Sequence, residues 1–341
     1  MYSESDLNAA VEAGALSRTA ADALRDHVAT ARRAPVVDEE HFRLLTGFND
    51  IFVSVALALL LVSLAWIGGS ILTPLGGLGV AGAAWFLAEY FTARRRMALP
   101  SILLLLAFVG GVAGTLFGIV IEADPQNLSP RATAAIFAGI ALVASGAAWA
   151  HWKRFMVPIT VAAGAAALVA VVAALAVVAF PQLAENFYPV TLIGGIGVFV
   201  TAMRWDMSDR ERRTRRSDVA FWLHLVAAPL IAHSLFQLLG VFGPTVTLPM
   251  AVVVIALYVV FGVVALAVDR RALLVSSLAY VLYALYALFQ QAGAVELSAA
   301  FTAFVIGSAL LTLSVFWQPM RRGVVSLLGD LGNRLPPVAM A

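Results

Sequence analysis

Long apolar runs separated by short charged turns are the main pattern in this chain. From Ile51 to Trp317, each run is about as long as a helix needs to cross a bilayer, which is roughly 20 residues. The runs lack the alternation of apolar and polar residues that is typical of membrane β-barrels. The pattern therefore predicts an all-α fold, a polytopic membrane helix bundle of about ten transmembrane helices. We draw the spans at residues 51–68, 71–92, 99–121, 132–150, 157–180, 190–206, 219–240, 249–268, 272–291 and 298–318.

Composition supports a membrane location. Hydrophobic residues make up 62% of the 341 residues and charged residues only 12%, which is more apolar surface than a soluble domain could bury. We therefore expect the lipid bilayer as the main partner. The net charge of +2 does not indicate nucleic acid, because the basic residues lie beside apolar runs, where membrane topology explains them. The absence of cysteine excludes disulfides, thiol nucleophiles and cysteine metal sites.

Basic residues also predict the orientation. Lysine and arginine resist transfer across a membrane and stay in cytoplasmic loops. With ten spans, all of the 22 lysines and arginines except Arg131 lie on the same side. Both termini are therefore expected in the cytoplasm. No apolar stretch follows an early positive cluster, so the N-terminus does not resemble a signal peptide.

The N-terminal segment reads as a small helical hairpin. Ser3 and Asp6 fit a capping box, Gly14 can end the first helix, and Ser17 can cap the second. A hairpin of this size is too small for a stable core, so we expect it to bind a protein partner, a second copy or the membrane surface. The predicted organisation is a cytoplasmic helical hairpin (1–33), a charged connector (34–50), a transmembrane domain (51–318) and a cytoplasmic C-terminal tail (319–341).

Basic turns recur along the chain with a regular spacing. The segments Arg96–Pro100 and Arg154–Pro158 share a basic-x-x-x-Pro pattern and start 58 residues apart. Basic turns near Arg212, Arg270 and Arg321 continue the spacing approximately. This favours five helical hairpins descended from one unit. The alternative is that two spans and two loops always total about this length.

Glycines mark predicted close contacts and turns. Gly110, Gly114 and Gly118 form overlapping GxxxG motifs on one face of the third span, which is typical of close helix packing. The Gly68–Ser70 segment is predicted to be the turn between the first two spans.

The middle of the drawn spans holds no charged side chain. A charge near the bilayer centre is costly and marks an ion or proton path, but the acidic residues lie within about two helical turns of a span end. Glu89 is the deepest of them. We expect it to pair with one of Arg94 to Arg96 at the membrane interface.

Polar side chains cluster in the seventh to ninth spans. His224 and His233 flank Pro229, which is expected to kink its helix near mid-membrane. His233 and Gln237 share a face, and His224 points away from them. These groups predict a polar crevice for a substrate, or they only hold neighbouring helices together. The candidate crevice residues are His224, His233, Gln237, Tyr258, Tyr280, Tyr283 and Gln290.

Catalytic patterns are missing from the sequence. It has no HExxH motif, no Walker loop and no GxSxG motif. Two histidines nine residues apart, without cysteine or a nearby carboxylate, make a poor metal site. We therefore expect no enzyme, no metal and no cofactor.

The N-terminal region resembles a known family. The segment Val11–Ser17 is followed by an alanine-rich helix, and Asp38–Glu40, Phe42–Leu45 and Gly47–Asp50 lead into the first span. Together with the many-span layout, these residues resemble the DUF2157 family of bacterial membrane proteins. The likeness covers about the first 70 residues. It implies a protein of the bacterial inner (cytoplasmic) membrane and carries over no activity and no functional residue.

Two functions remain open from the sequence. The first is a permease or channel for a small neutral or weakly charged solute, with its crevice in the seventh to ninth spans. The second is a non-transporting membrane scaffold or sensor that recruits a partner through residues 1–33. The number of spans favours the first, and the absence of a central charge favours the second.

Overall fold

The described part of the chain is helical. A computed structural model describes residues 4–31, 48–125, 127–209, 212, 214–241, 248–291, 298–329, 332 and 335, and none of these residues lies in a β-strand. The predicted all-α bundle is therefore confirmed. Within the described residues the helices are α1 (Glu4–Glu12), α2 (Arg18–Ala31), α3 (Phe48–Ile71), α4 (Thr73–Ala88), α5 (Ala98–Ala123), α6 (Pro130–Phe155), α7 (Ile159–Ala179), α8 (Tyr188–Ser208), α9 (Arg215–Leu238), α10 (Leu248–Val268), α11 (Ala272–Gln291), α12 (Ser298–Val315) and α13 (Trp317–Leu327).

Helices α3 to α12 follow the ten spans drawn from the sequence. Helix α4 continues into a π-helix, Glu89–Arg94, and a 3₁₀ turn, Pro181–Ala184, precedes α8. Among the described residues, seven helices (α3 and α5 to α10) are each long and apolar enough to cross a membrane. The count rises to eight if α12 and α13, which meet at a bend of 76°, form one broken span. The chain is thus a membrane protein with several apolar helices, and the count of ten stays a prediction.

The glycines between α3 and α4 allow close packing and do not form the predicted turn. Residues 68–70 lie inside α3, and the chain reverses at Leu72, which has extended backbone. A Cβ atom on Gly68 would lie 2.7 Å from the carbonyl oxygen of Leu75, and one on Gly76 would lie 2.6 Å from that of Ala65. Any larger residue would therefore force the two helices apart.

Helices α4 and α5 also meet through glycine, with a shift of one position from the predicted motif. A Cβ atom on Gly111 would lie 2.7 Å from a backbone nitrogen of α4, and one on Gly118 would lie 2.6 Å from another. Gly114 makes an ordinary contact, 3.8 Å from the Cα atom of Gly77. Gly110 faces open space. The close contact with α4 that the GxxxG spacing predicted for Gly110 is made by Gly111 instead.

Helix α9 is the centre of the second half of the bundle. More than half of the residues in its apolar stretch, 56%, are buried, compared with at most 28% in the other six apolar helices. It packs against α7, α8 and α11. Two polar groups on α9, His224 and Ser234, are therefore shielded from lipid.

Left-handed backbone occurs at four of the basic turns, as it also does after α5 at Asp124 and after α9 at Gly240. Arg96, Met156, Arg212 and Asp269 have φ values of +53°, +55°, +53° and +59°. A helix commonly ends with one residue in this conformation. The positions follow the predicted repeat closely, and descent of the five hairpins from one unit stays a prediction.

A polar bond joins the two helices of the N-terminal hairpin. Arg25 donates to the side-chain oxygen of Asn8 over 2.9 Å. Gly14, with φ of +71°, follows α1, and the Ser17 hydroxyl accepts from the Ala20 backbone at the start of α2. Ser3 and the connector from residue 32 to 47 lie outside the described residues.

Candidate functional site

The predicted crevice residues fall into separate groups. His233 on α9 and Tyr280 on α11 are in contact, with 2.6 Å between the imidazole Nδ1 and the phenol oxygen. The ring of Tyr188 meets the His233 ring edge-on at 5.7 Å, and Tyr280 stacks on Phe236 at 4.4 Å. The His233 side chain is exposed, so this imidazole–phenol pair lies at the surface of the bundle.

The other predicted crevice residues surround this pair less directly. The Tyr258 hydroxyl on α10 is buried and has no hydrogen-bond partner among the described residues. Gln237 is half-buried, and Tyr283 is exposed. The side chain of Gln290 lies outside the described part of the chain.

Pro229 lies within α9 without interrupting it. The helix runs through this residue, and the proline ring is on the exposed side. A proline removes one backbone donor from the helix. The predicted kink at this position stays a prediction.

His224, which the sequence placed in the crevice, lies in a buried ionic network at the end of the bundle that carries the basic turns. We call this end the basic end. The central ion pair joins Asp206, at the end of α8, to Arg270, just after α10. Arg270 donates from Nε to Oδ2 over 3.0 Å and from a terminal nitrogen to Oδ1 over 2.5 Å. It also donates to the Ser217 carbonyl oxygen over 3.3 Å. Asp206 and Arg270 are 1% and 2% exposed.

The imidazole of His224 touches the same carboxylate. Its Nε2 atom lies 3.3 Å from Oδ2 of Asp206, and the side chain is fully buried. In the described part of the chain, neither ring nitrogen has a partner in hydrogen-bond geometry. The ring of Phe199 packs edge-on against the imidazole at 5.2 Å. Asp206 is thus close to both His224 and Arg270, and it forms well-aligned hydrogen bonds only with Arg270.

A second carboxylate ties the C-terminal helix to the network. Asp269 accepts from Arg212 over 2.9 Å and from the Trp317 indole nitrogen over 2.9 Å. Arg321 on α13 lies 3.5 Å from the same carboxylate, and Arg271 lies over the Trp317 ring at 4.9 Å. These contacts hold α13 against the α10–α11 turn.

A similar ion pair in the first half of the chain is more exposed. Arg154, at the end of α6, donates to both oxygens of Glu89 over 2.8 and 2.5 Å. The prediction that Glu89 pairs with one of Arg94 to Arg96 is therefore wrong, because its partner is Arg154. Arg95 instead donates to the Tyr90 hydroxyl over 3.0 and 3.1 Å. Glu89 begins the π-helix, and Arg94 and Arg95 lie at the end of this widened turn. The arginine that pairs with Glu89 comes instead from the end of α6.

His151 is a further buried histidine that the sequence analysis did not single out. It is fully buried among the rings of Trp85, Phe108 and Phe155. Its Nδ1 atom lies 3.3 Å from the Thr160 hydroxyl. No residue within the described ranges bonds its Nε2 atom.

The distance of each acidic residue from a span end does not reveal its partner, so the network was not predicted. Asp206 and Asp269 do lie at the basic end, and arginines stand close to both in the sequence. Antiparallel hairpins bring these turns together, so opposite charges within basic turns were the available signal. Burial depends on how α8, α9 and α10 pack, which the periodicity of one chain does not reveal.

The network is suited to holding helices or binding a proton, and its composition is not that of a metal site. Arginine carries no lone pair for a cation, and the acids are already bonded to arginine. Across the described residues, no group of three histidine, aspartate or glutamate side chains could hold a metal ion. Comparison with protein families, curated proteins and solved structures finds no match for this chain.

Proposed function

We propose that the chain is a permease for a small neutral or weakly charged solute. The solute would enter a crevice between α9, α10 and α11, and the ionic network would close the basic end. The observation that carries the proposal is the Asp206–Arg270 pair, which is buried within an apolar membrane bundle. Charged groups in such surroundings are costly and occur where helices or ions must move.

Polar side chains in the half of the bundle away from the basic end support the crevice. The His233–Tyr280 pair offers an imidazole and a phenol at the bundle surface, and the nearby helix α10 carries the buried Tyr258 hydroxyl. Such polar groups bind a neutral solute through hydrogen bonds, because a ligand site needs only a few well-placed polar atoms in apolar walls. The Asp206–Arg270 pair lies at the other end of α8 and α10, so the two sites fit the outer and inner ends of one path.

The proposed location is the bacterial inner membrane, with both termini in the cytoplasm. Its support is the one-sided distribution of lysine and arginine and the DUF2157 resemblance. On this orientation, the basic end faces the cytoplasm and the His233–Tyr280 pair faces outward. We also propose that the protein performs no chemistry on its solute, since the sequence carries no catalytic motif.

Cysteine labelling tests the permease directly, because the native chain contains no cysteine. His233→Cys and Tyr283→Cys would be prepared separately and exposed to a membrane-impermeant thiol reagent in sealed vesicles. Leu59→Cys is the control, since this residue is exposed near the middle of α3, where lipid covers it. We expect both test positions to react much faster than the control. If both are as unreactive as Leu59→Cys, the permease proposal fails.

A second function, a scaffold or sensor, is favoured by the N-terminal hairpin. The Arg25–Asn8 bond joins α1 to α2, and 16 residues that lie outside the described part separate this hairpin from α3. We expect a chain lacking residues 1–33 to lose a partner or change its complex size if this function is correct. Arg25→Met, which removes the interhelical bond and the ion pair with Asp22 but keeps both helices in the chain, is the matched control. An unchanged complex in the deletion variant would count against the scaffold.

A further inference from the structure

Two members of the network, His224 and Arg212, have buried side-chain nitrogens that no described residue satisfies. The imidazole is fully buried, and neither nitrogen is in hydrogen-bond geometry. A buried polar group without a partner is costly, and such groups in native proteins call for an explanation. The carboxylate 3.3 Å away would satisfy Nε2 after a small movement, but Asp206 is turned toward Arg270.

Protonation of His224 would place a second cation beside the carboxylate that Arg270 binds. Arg270 bonds both carboxylate oxygens, and Oδ2 is the atom that lies near His224. A guanidinium that binds a carboxylate through two nitrogens holds its plane fixed. The imidazole gains a well-aligned bond only if the carboxylate rotates and at least one arginine contact breaks.

The charges around His224 decide when that exchange occurs. Helix α8 contributes Asp206, the α10–α11 turn contributes Arg270, and the α8–α9 segment contributes Arg212. Helix α7 has no titratable residue, and the nearest tyrosine described on α11, Tyr280, bonds the other histidine of α9. A neutral imidazole cannot compete with Arg270 for the carboxylate. A protonated imidazole can, and it repels the adjacent guanidinium.

A further acid lies on α9 itself, six residues before His224 and next to Ser217. Asp218 is half-buried, and its charged neighbours are Arg270, Arg215 and Asp209. Once Arg270 leaves Asp206, Asp218 is therefore an alternative partner within reach of the same arginine. The network thus provides an acceptor for each cation after the exchange.

We propose that His224 is a proton-binding site, and that the protonated imidazole replaces Arg270 as the partner of Asp206. One proton from the aqueous phase joins the free ring nitrogen, and no covalent bond of the chain breaks. Arg270 and the α10–α11 turn then move away from α8 and α9. Release of the proton restores the observed pair. The consequence for transport, a proton-driven opening of the basic end, rests on the proposed permease function.

A single cysteine beneath Arg270 tests the exchange without any solute. Ser217 is buried and its carbonyl accepts from Arg270, so Ser217→Cys reports whether the arginine covers this site. The variant would be reconstituted as the full chain in vesicles and labelled from about pH 8 to about pH 5, the range that brackets ordinary imidazole titration. Its labelling rate is divided by that of Ser326→Cys, an exposed residue of α13, because thiol reactivity itself changes with pH.

We expect this rate ratio to rise as the pH falls and to become independent of pH when His224→Gln is added. Adding His151→Gln, which changes a buried histidine among aromatic rings of α4 to α6, should leave the rise intact. A flat ratio in the chain with His224 overturns the proposal, whether or not the His224 variant folds. A rise that persists with His224→Gln also overturns it.

The outcome is separable from that of the permease test. Reactive cysteines at positions 233 and 283 with a flat Ser217→Cys ratio would leave the permease standing and remove the proton exchange. A His224-dependent rise with unreactive crevice positions would establish the exchange in a protein that does not transport.

Discussion

Two ion pairs with the same chemistry and different burial allow the buried pair to be measured against an internal control. Asp206–Arg270 and Glu89–Arg154 each join one carboxylate to one guanidinium through two contacts. Their residues are 64 and 65 positions apart in the chain. The side chains of the first pair are 0% and 2% exposed, and those of the second are 34% and 52% exposed.

The difference in burial predicts that the same arginine-to-methionine substitution lowers the free energy of unfolding by very different amounts in the two pairs. Arg270→Met leaves a buried carboxylate with only the imidazole beside it, and removing one partner of a buried pair costs about 3–5 kcal/mol. Arg154→Met removes a partly exposed pair, for which about 1 kcal/mol or less is expected. Combining Asp206→Leu with Arg270→Met removes the stranded charge. The double variant should therefore recover most of the lost unfolding free energy.

Equilibrium unfolding in mixed detergent micelles, followed by far-UV circular dichroism, measures these differences. The four proteins to compare are the unchanged chain, Arg270→Met, Arg154→Met and the Asp206→Leu/Arg270→Met double variant. The reasoning is refuted if Arg270→Met costs no more than Arg154→Met. It is equally refuted if the double variant is as unstable as Arg270→Met, because the stranded charge would then not be the cause.

Three further substitutions have expected outcomes in the same unfolding measurement. Gly111→Ala should lower stability by about 1–3 kcal/mol, because its Cβ atom meets backbone, whereas Gly110→Ala on the same helix should be neutral or stabilising; equal effects would contradict the packing argument. Trp317→Phe should cost about 1.5–3 kcal/mol by removing a buried hydrogen bond to a carboxylate, and no change would show that the bond does not hold α13. Glu122→Ala should lower the unfolding midpoint slightly, since Glu122 accepts from the backbone and hydroxyl of Thr73 at the start of α4, and an unchanged midpoint would exclude this capping role.

Much of the helical layout could be predicted from the sequence. Each drawn span coincides with a helix, because runs of roughly 20 apolar residues have few alternatives in a bilayer. Local contacts were less predictable. Gly68 and Gly111 illustrate the reason, since glycine spacing indicates a close approach but does not identify which face meets the partner.

The candidate site could be predicted only in part. His233 and Tyr280 come together because their helices, α9 and α11, are neighbours, and polar residues in apolar spans are conspicuous. His224 faces the opposite way, as its spacing from His233 predicted, but its partner Asp206 is on another helix. Pairing across 64 residues depends on the arrangement of helices, which one sequence without relatives does not specify.

The distance along the chain between Asp206 and Arg270 has a consequence for biosynthesis. Arg270 leaves the ribosome 64 residues after Asp206. At about 5–20 residues per second this interval lasts about 3 to 13 seconds. During that time α8 carries a carboxylate without its arginine, so the nascent helix is expected to wait at the rim of the insertion machinery or against the membrane surface. A nascent chain stalled before residue 270 should therefore be a target for membrane proteolysis, and one stalled after the α10–α11 turn has emerged should resist it.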